Sequence, residues 1–141
     1  MKKFLIELGK SARDSKGNPY YEVYSGDSEP LDIRLKKRRF EYPADVIWKR
    51  RGKYVIIELA FNEDWRSIVG EITLAYLTRD CSRFILVTSG WDSDLLSNII
   101  GLVGDALGQE WSWINLNPSD LDDIEKAKKA IKSALKKWNW I

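Results

Sequence analysis

The run Phe84-Ile85-Leu86-Val87-Thr88 most limits what this chain can become. A strand with one wet face alternates apolar and polar residues, whereas an unbroken apolar run of strand length suits a strand covered on both faces. Such a strand sits inside a sheet with layers above and below it. The neighbouring sequence provides those layers. A helix is expected over about residues 64–78, where Ile68, Ile72, Leu74 and Ala75 share one face, and a second near residues 94–107.

Upstream lie two more β-rich runs, Asp45-Val46-Ile47-Trp48-Lys49 and Tyr54-Val55-Ile56-Ile57-Glu58-Leu59-Ala60, separated by Arg50-Arg51-Gly52-Lys53. This arrangement predicts a hairpin. A helix between its second strand and residues 84–88 permits a right-handed parallel crossover. Residues 2–13 read as a short helix, residues 20–24 as β-prone, and Leu31-Asp32-Ile33-Arg34-Leu35 as a half-exposed strand. Trp111–Leu116 is a candidate last strand. Pro118-Ser119-Asp120 caps a final helix from Leu121 to about Trp138, with Ile124, Ala127, Ile131, Ala134, Leu135 and Trp138 inward. The expectation is a single α/β domain over residues 1–141, its mixed β-sheet flanked by helices, antiparallel at the hairpin and parallel beyond it.

The 141 residues include no histidine and one cysteine, Cys81, which excludes His-based triads, His-ligated zinc, intramolecular disulfides and CxxC metal sites. Chemistry is left to carboxylates, amines, hydroxyls or a bound hard cation. A lone cysteine fits a reducing interior. No apolar stretch approaches a bilayer span, and Glu7 interrupts the Phe4-Leu5-Ile6 stretch that a signal peptide would extend. A cytoplasmic protein with no membrane partner is expected.

The hairpin carries the sharpest chemical inference. If Arg51-Gly52 form a two-residue turn, Arg50 faces Lys53, Lys49 faces Tyr54, Ile47 faces Ile56 and Asp45 faces Glu58. Alternation then puts both acids on one face, with β-carbons roughly 4.5–5.5 Å apart. Two opposed anions on an otherwise apolar hairpin repel and raise each other's pKa. A divalent cation between them removes the conflict, and oxygen-only ligation suits Mg²⁺ or Mn²⁺. The simpler arrangement leaves Asp45 in solvent at a strand end and Glu58 paired with an arginine, and a one-residue slip at the Arg-Gly turn also stays open.

In these residues the chain resembles the PD-(D/E)xK nuclease superfamily, the restriction-endonuclease-like fold. The resemblance rests on Pro43-Ala44-Asp45-Val46-Ile47 and Ile56-Ile57-Glu58-Leu59-Ala60, and in element order it spans roughly residues 2–88. The family pattern is an aspartate opening one strand, then acid-x-lysine on the hairpin partner, then a helix. Asp45 and Glu58 match the two acidic positions. Glu71-Ile72-Thr73-Leu74-Ala75-Tyr76 is similar to the Gln-hydrophobic-x-x-Tyr element of RecB-like members, with Glu71 in place of glutamine, and Glu7 stands where a further helical acid is often found. The resemblance implies Mg²⁺-dependent hydrolysis of DNA phosphodiester bonds, with the metal on Asp45 and Glu58 and Glu71 orienting a water or Arg66. The family lysine, however, is replaced by Ala60. Arg66 or Lys10 would have to substitute for it. Otherwise the chain is a catalytically inactive nuclease-fold module that binds nucleic acid or protein. Without a role of this kind Glu71 is a solvated helix residue and Tyr76 covers the core edge.

The charge distribution is uneven. Residues 32–53 hold nine cations against three acids, net +6, which leaves −4 for the rest of a chain whose total is +2. Arg34, Lys36, Lys37, Arg38, Arg39, Lys49, Arg50 and Arg51 are therefore candidate DNA-phosphate contacts. The competing assignment makes them solvated loop tips that guard strand edges. On the final helix, acids precede bases in keeping with the helix dipole. Of the seven tryptophans, Trp48, Trp65, Trp111 and Trp113 are placed in or near the core, whereas Trp138 and Trp140 are candidate anchors for a partner such as a second copy in a homodimer. Gly101, Gly104 and Gly108 read as close-packing or capping positions.

Overall fold

The computed structural model describes every residue except Lys36, Arg79, Asp92, Gly108 and Gln109. Five strands form a mixed sheet in the order β1 (Glu22–Tyr24), β4 (Val46–Arg50), β5 (Lys53–Ala60), β6 (Cys81–Ser89) and β7 (Trp111–Leu116). The first three are antiparallel, and β6 and β7 run parallel to β5. A separate two-stranded sheet joins β2 (Leu31–Leu35) to β3 (Arg38–Tyr42). The helices are α1 (Lys2–Ser11), α2 (Trp65–Leu77), α3 (Ser93–Leu107), α4 (Pro118–Asp122) and α5 (Ile124–Lys137).

The hairpin adopts the expected register, with Arg50 opposite Lys53 and Ile47 opposite Ile56. Arg51 and Gly52 both have positive φ, 49° and 76°, which is the backbone of a type I′ turn. That turn matches the twist of the flanking strands, so Arg-Gly holds the register without slipping. Phe84 through Thr88 are all buried, as the unbroken apolar run requires.

Alternation along β5 divides the core. Ile56 and Ala60 pack with Ile47, Ile68, Ile72 and Ala75 beneath α2, and the β2–β3 hairpin adds Leu31, Ile33 and Tyr42 to the same face. Ile57 and Val55 pack on the opposite face with Leu5 of α1 and Ala127, Ile131 and Leu135 of α5. Gly9 lets α1 lie against Trp48, since a Cβ there would collide with the indole. The Trp48 Nε1 in turn donates to the Leu5 carbonyl at 3.2 Å.

Several expectations are corrected. The cationic run after β2 leads directly into β3, whose first four residues are exposed, and it pairs with β2 alone. The final helix breaks at Asp123, whose side chain accepts from the Lys126 N–H at 3.2 Å and so starts α5 afresh. Ile124 consequently lies in the exposed first turn, not inward. Leu74 and Trp65 are exposed as well, because the buried stripe of α2 runs through Ile68, Ile72 and Ala75 only. Trp140 is buried in the core beside α5, with Trp138 packed against it at 5.7 Å between ring centroids, so these rings anchor the C-terminal segment to its own sheet. Gly101 has open space where a Cβ would stand, which removes its close-packing role. Gly108 lies outside the described residues. Among the described residues no helix is long and apolar enough to cross a membrane.

Candidate active site

Strand β5 outruns β4. Its antiparallel ladder with β4 ends at the pair Val46–Ile57, while its parallel ladder with β6 continues through Glu58 to Ala60. The Leu59 N–H therefore points past the start of β4, and the Asp45 carboxylate takes it, Oδ2 accepting at 2.8 Å. The preceding residue is also tied down, because the Ala44 carbonyl accepts from the Gly26 N–H at 2.9 Å. Only glycine fits at position 26, where a Cβ would run into the Ala44 backbone.

Glu58 projects to the α2 face of the sheet and is buried, 4% exposed. Its Oε1 accepts a hydrogen bond from the Tyr42 hydroxyl. Burial pushes the Glu58 carboxyl up to about 8. The Tyr42 hydrogen bond opposes that rise, and the nearby Asp45 adds to it by charge and by a carboxyl–carboxyl hydrogen bond. The Tyr42 hydroxyl is likewise held well above its ordinary range by burial and by the Glu58 charge.

Glu71 approaches from α2, one turn on from the buried Ile68. Its carboxyl is raised well above the usual carboxylate range by burial, then by a hydrogen bond with Glu63 and by the charges of Glu58, Glu63 and Asp45. Glu63 sits in the turn between β5 and α2, directly after Asn62, whose φ is 59°. One oxygen of each, Glu63 Oε2 and Glu71 Oε2, is buried without a hydrogen-bond partner. Four carboxyl groups thus meet at the carboxyl end of β5, the end of parallel strands where α/β sheets generally place ligands.

The structure brings Asp45, Glu58 and Glu71 together and adds Tyr42 and Glu63, neither of which the sequence motifs singled out. No spacing rule reaches them. Tyr42 arrives on a second sheet, and Glu63 depends on the turn after β5. Other residues go elsewhere. Arg66 is exposed, its guanidinium 5.3 Å over the Trp65 ring. Glu7 and Lys10 are exposed on α1, which packs on the opposite face of the sheet. Ala60 is fully buried, so the position of the family lysine faces packed side chains. Burial pushes the Cys81 thiol up to about 12, which leaves it protonated and unreactive at neutral pH.

The basic residues divide into two groups. Lys37, Arg38 and Arg39 are exposed at the turn of the β2–β3 hairpin. Lys36 lies outside the described residues, and so does the Arg34 side chain. Lys49, Arg50 and Arg51 lie at the turn of the β4–β5 hairpin, the end of β5 away from Glu58.

The donor chemistry suits a hard divalent cation: all oxygen, anionic and short of counter-charge, with two buried oxygens unpartnered. Among the described residues no three such side chains form a ready-made metal shell. Asp45 and Glu58 are the two carboxylates that the sequence puts forward to hold such an ion, and a Mg²⁺-type ion commonly keeps several waters.

No family model matches the sequence, and no curated protein matches it. Among solved structures, the crystal structure of a protein of unknown function, AF1548, is similar at 15% identity and a TM-score of 0.43, the match covering 79% of this chain and 53% of that one. The chain thus spans about half the length of that protein.

Proposed function

We propose that the carboxylate cluster is the centre of a metal-dependent nuclease of the PD-(D/E)xK type, acting on DNA. The observation that carries this reading is the meeting of Asp45, Glu58, Glu63 and Glu71 in a buried site whose carboxyl groups hydrogen-bond one another and whose outer oxygens lack partners. Such a grouping costs folding energy and is relieved by a divalent cation. The element order supports the same family: helix, antiparallel strands with Asp45 and Glu58 at one end, crossover helix, parallel strand.

In this reading Asp45 and Glu58 hold Mg²⁺ or Mn²⁺, which when bound polarises the phosphate and acidifies an attacking water. Tyr42 fixes the Glu58 carboxylate through its hydroxyl, and the Leu59 N–H fixes that of Asp45. Glu71, whose carboxyl is raised by burial and by its acidic neighbours, stands where it could hydrogen-bond a water. Lys37, Arg38 and Arg39, on the hairpin that also delivers Tyr42, contact the phosphate backbone.

One observation favours a second reading, a nuclease-fold module that binds without cleaving. Ala60 is buried and Arg66 lies on Trp65, so neither supplies the cation that the family places beside the metal. Cleavage of plasmid and branched DNA with Mg²⁺ or Mn²⁺ separates the two. The nuclease reading expects wild-type turnover that falls to background in both Asp45→Asn and Glu58→Gln. Salt-sensitive DNA binding without turnover, weakened by Arg38→Gln with Arg39→Gln, establishes the module instead. Equal cleavage by wild type and both acid variants removes the carboxylate cluster from the chemistry.

A further inference from the structure

A second concave site lies at the other end of β5. The amino ends of β5 and β6 form its floor through Lys53, Val55, Ser82 and Arg83. Ala12, Arg13, Tyr20 and Tyr21 form one wall and the segment from Asn139 to Ile141 the other, and the turn residues Arg50 and Arg51 close the rim. The volume is about 600 Å³, within the range of small-molecule sites. The first wall is braced by its own hydrogen bonds, Tyr20 N–H to the Ala12 carbonyl and Asp14 N–H to the Asn18 carbonyl, both 2.9 Å.

The chemistry of the lining is specific. Arg13, Arg50, Arg51, Lys53 and Arg83 face a single carboxylate side chain, Glu110. Arg83 is engaged by Glu110 at 3.3 Å, and Lys53 by Asp80 outside the cleft at 3.7 Å. Among the described residues, by contrast, Arg50 and Arg51 have no carboxylate within ion-pair distance. The Arg50 guanidinium lies 3.4 Å above the Tyr20 ring. Stacking covers one of its faces and leaves the N–H groups in its plane free, the presentation that grips phosphate in a bidentate manner. Tyr20 and Tyr21 meet edge to face at 4.7 Å, so aromatic side chains stand beside the free donors.

We propose that this cleft binds a nucleotide 5′-phosphate, the phosphate on Arg50 and Arg51 and the base beside the Tyr20 and Tyr21 side chains. A solvated patch of surface arginines would need neither concavity, nor a braced wall, nor an aromatic under one guanidinium. The same chemistry is offered by a free mononucleotide and by the 5′-terminal nucleotide of a strand. The site stands apart from the carboxylate cluster and does not depend on metal.

Titration calorimetry in EDTA with 5′-AMP, adenosine and inorganic phosphate tests it on the full chain. Saturable 5′-AMP binding is expected, at least ~10-fold tighter than adenosine, given that one lost charge-assisted contact costs about 1.5–3 kcal/mol. Arg50→Gln with Arg51→Asn should lose at least that factor, while Asp45→Asn should bind as wild type. Should the double variant fold poorly by circular dichroism, Arg51→Asn alone serves as the second test and should weaken 5′-AMP. A 5′-phosphorylated oligonucleotide that outbinds its 5′-hydroxyl twin assigns the site to strand ends, and equal binding of the twins beside tight 5′-AMP assigns it to free nucleotides. Absence of saturable 5′-AMP binding, or unchanged affinity in the arginine variants, overturns the proposal.

Discussion

The two ends of β5 are electrostatic opposites. At its carboxyl end four carboxyl groups crowd together with no cation among the strongest influences on Glu58 or Glu71. At its amino end five cations surround one carboxylate side chain. Lys53 and Glu58 lie five residues apart on one strand, about 17 Å at the usual rise. The two clusters also bear their charge differently. Glu58 is buried and its carboxyl rises to about 8, and that of the half-buried Glu71 is raised as well. The arginines cannot deprotonate, so they stay at the surface and shed hydration onto aromatic rings, Arg50 on Tyr20 and Arg83 on Trp140. One end therefore gathers carboxyl groups short of counter-charge, and the other gathers cations in excess of acids.

The largest test of that contrast is the pH dependence of stability. In the folded protein Glu58 holds its proton to about 8, against 4.5 as the ordinary value. A carboxyl raised on folding contributes stability that is complete below its unfolded pKa and is lost as pH rises through its folded pKa. Thermal and urea unfolding should therefore show the chain weaker at pH 9 than at pH 5. The loss should reach several kcal/mol, since each tenfold change in proton affinity is worth roughly 1.4 kcal/mol. Glu58→Gln keeps an acceptor for Tyr42 and removes its share of the titration, so it should lessen the slope, leaving the part due to Glu71, and exceed wild type in stability at pH 9. Added Mg²⁺ or Mn²⁺ should restore wild type at pH 9 and leave Glu58→Gln unmoved. A wild-type profile that is flat from pH 5 to 9 would show that the acidic end carries no such strain.

Tyr42→Phe probes the same end more gently. The hydroxyl stabilises the ionised form of Glu58, so its removal should push that carboxyl still higher. Loss of a hydrogen bond to a charged acceptor costs about 1.5–3 kcal/mol, and to a neutral one about 0.5–1.5 kcal/mol. The destabilisation should therefore be greater at pH 9 than at pH 5. In the Glu58→Gln background it should be small at both, a coupling that a double-mutant cycle measures.

How much of this was legible in the sequence follows from which interactions are local. The hairpin register, the buried run of β6 and the nearness of Asp45 to Glu58 follow from alternation and turn chemistry, which need only neighbouring residues. Strand β3 escaped because its cations hide a strand that exists only through pairing with β2. Tyr42 and Glu63 escaped because a second sheet and a turn residue with positive φ bring them to Glu58 and Glu71. The exposure of Trp65 and the burial of Trp140 reversed expectation, since aromatic character says how much a residue gains by burial and not which side of a helix start it occupies. The arginine cleft joins residues as distant in sequence as Arg13 and Arg83. No local pattern in the chain anticipates it.

The finest test lies at the basic end, where Glu110 interrupts an otherwise cationic lining. Its ion pair with Arg83, at 3.3 Å, has the carboxylate 63% exposed. An exposed pair of this kind is worth little, so Glu110→Gln should change stability by no more than about 0.5 kcal/mol at any pH from 5 to 9. Its backbone carbonyl, which accepts from the Phe84 N–H at 3.1 Å, is untouched by the substitution. The same change frees the Arg83 guanidinium for an anion, so 5′-AMP should bind more tightly, and the gain should shrink as salt is raised. Tighter binding with unaltered stability would mark the basic end as built for a ligand, whereas a stability loss comparable to that of Tyr42→Phe would make its charges part of the scaffold.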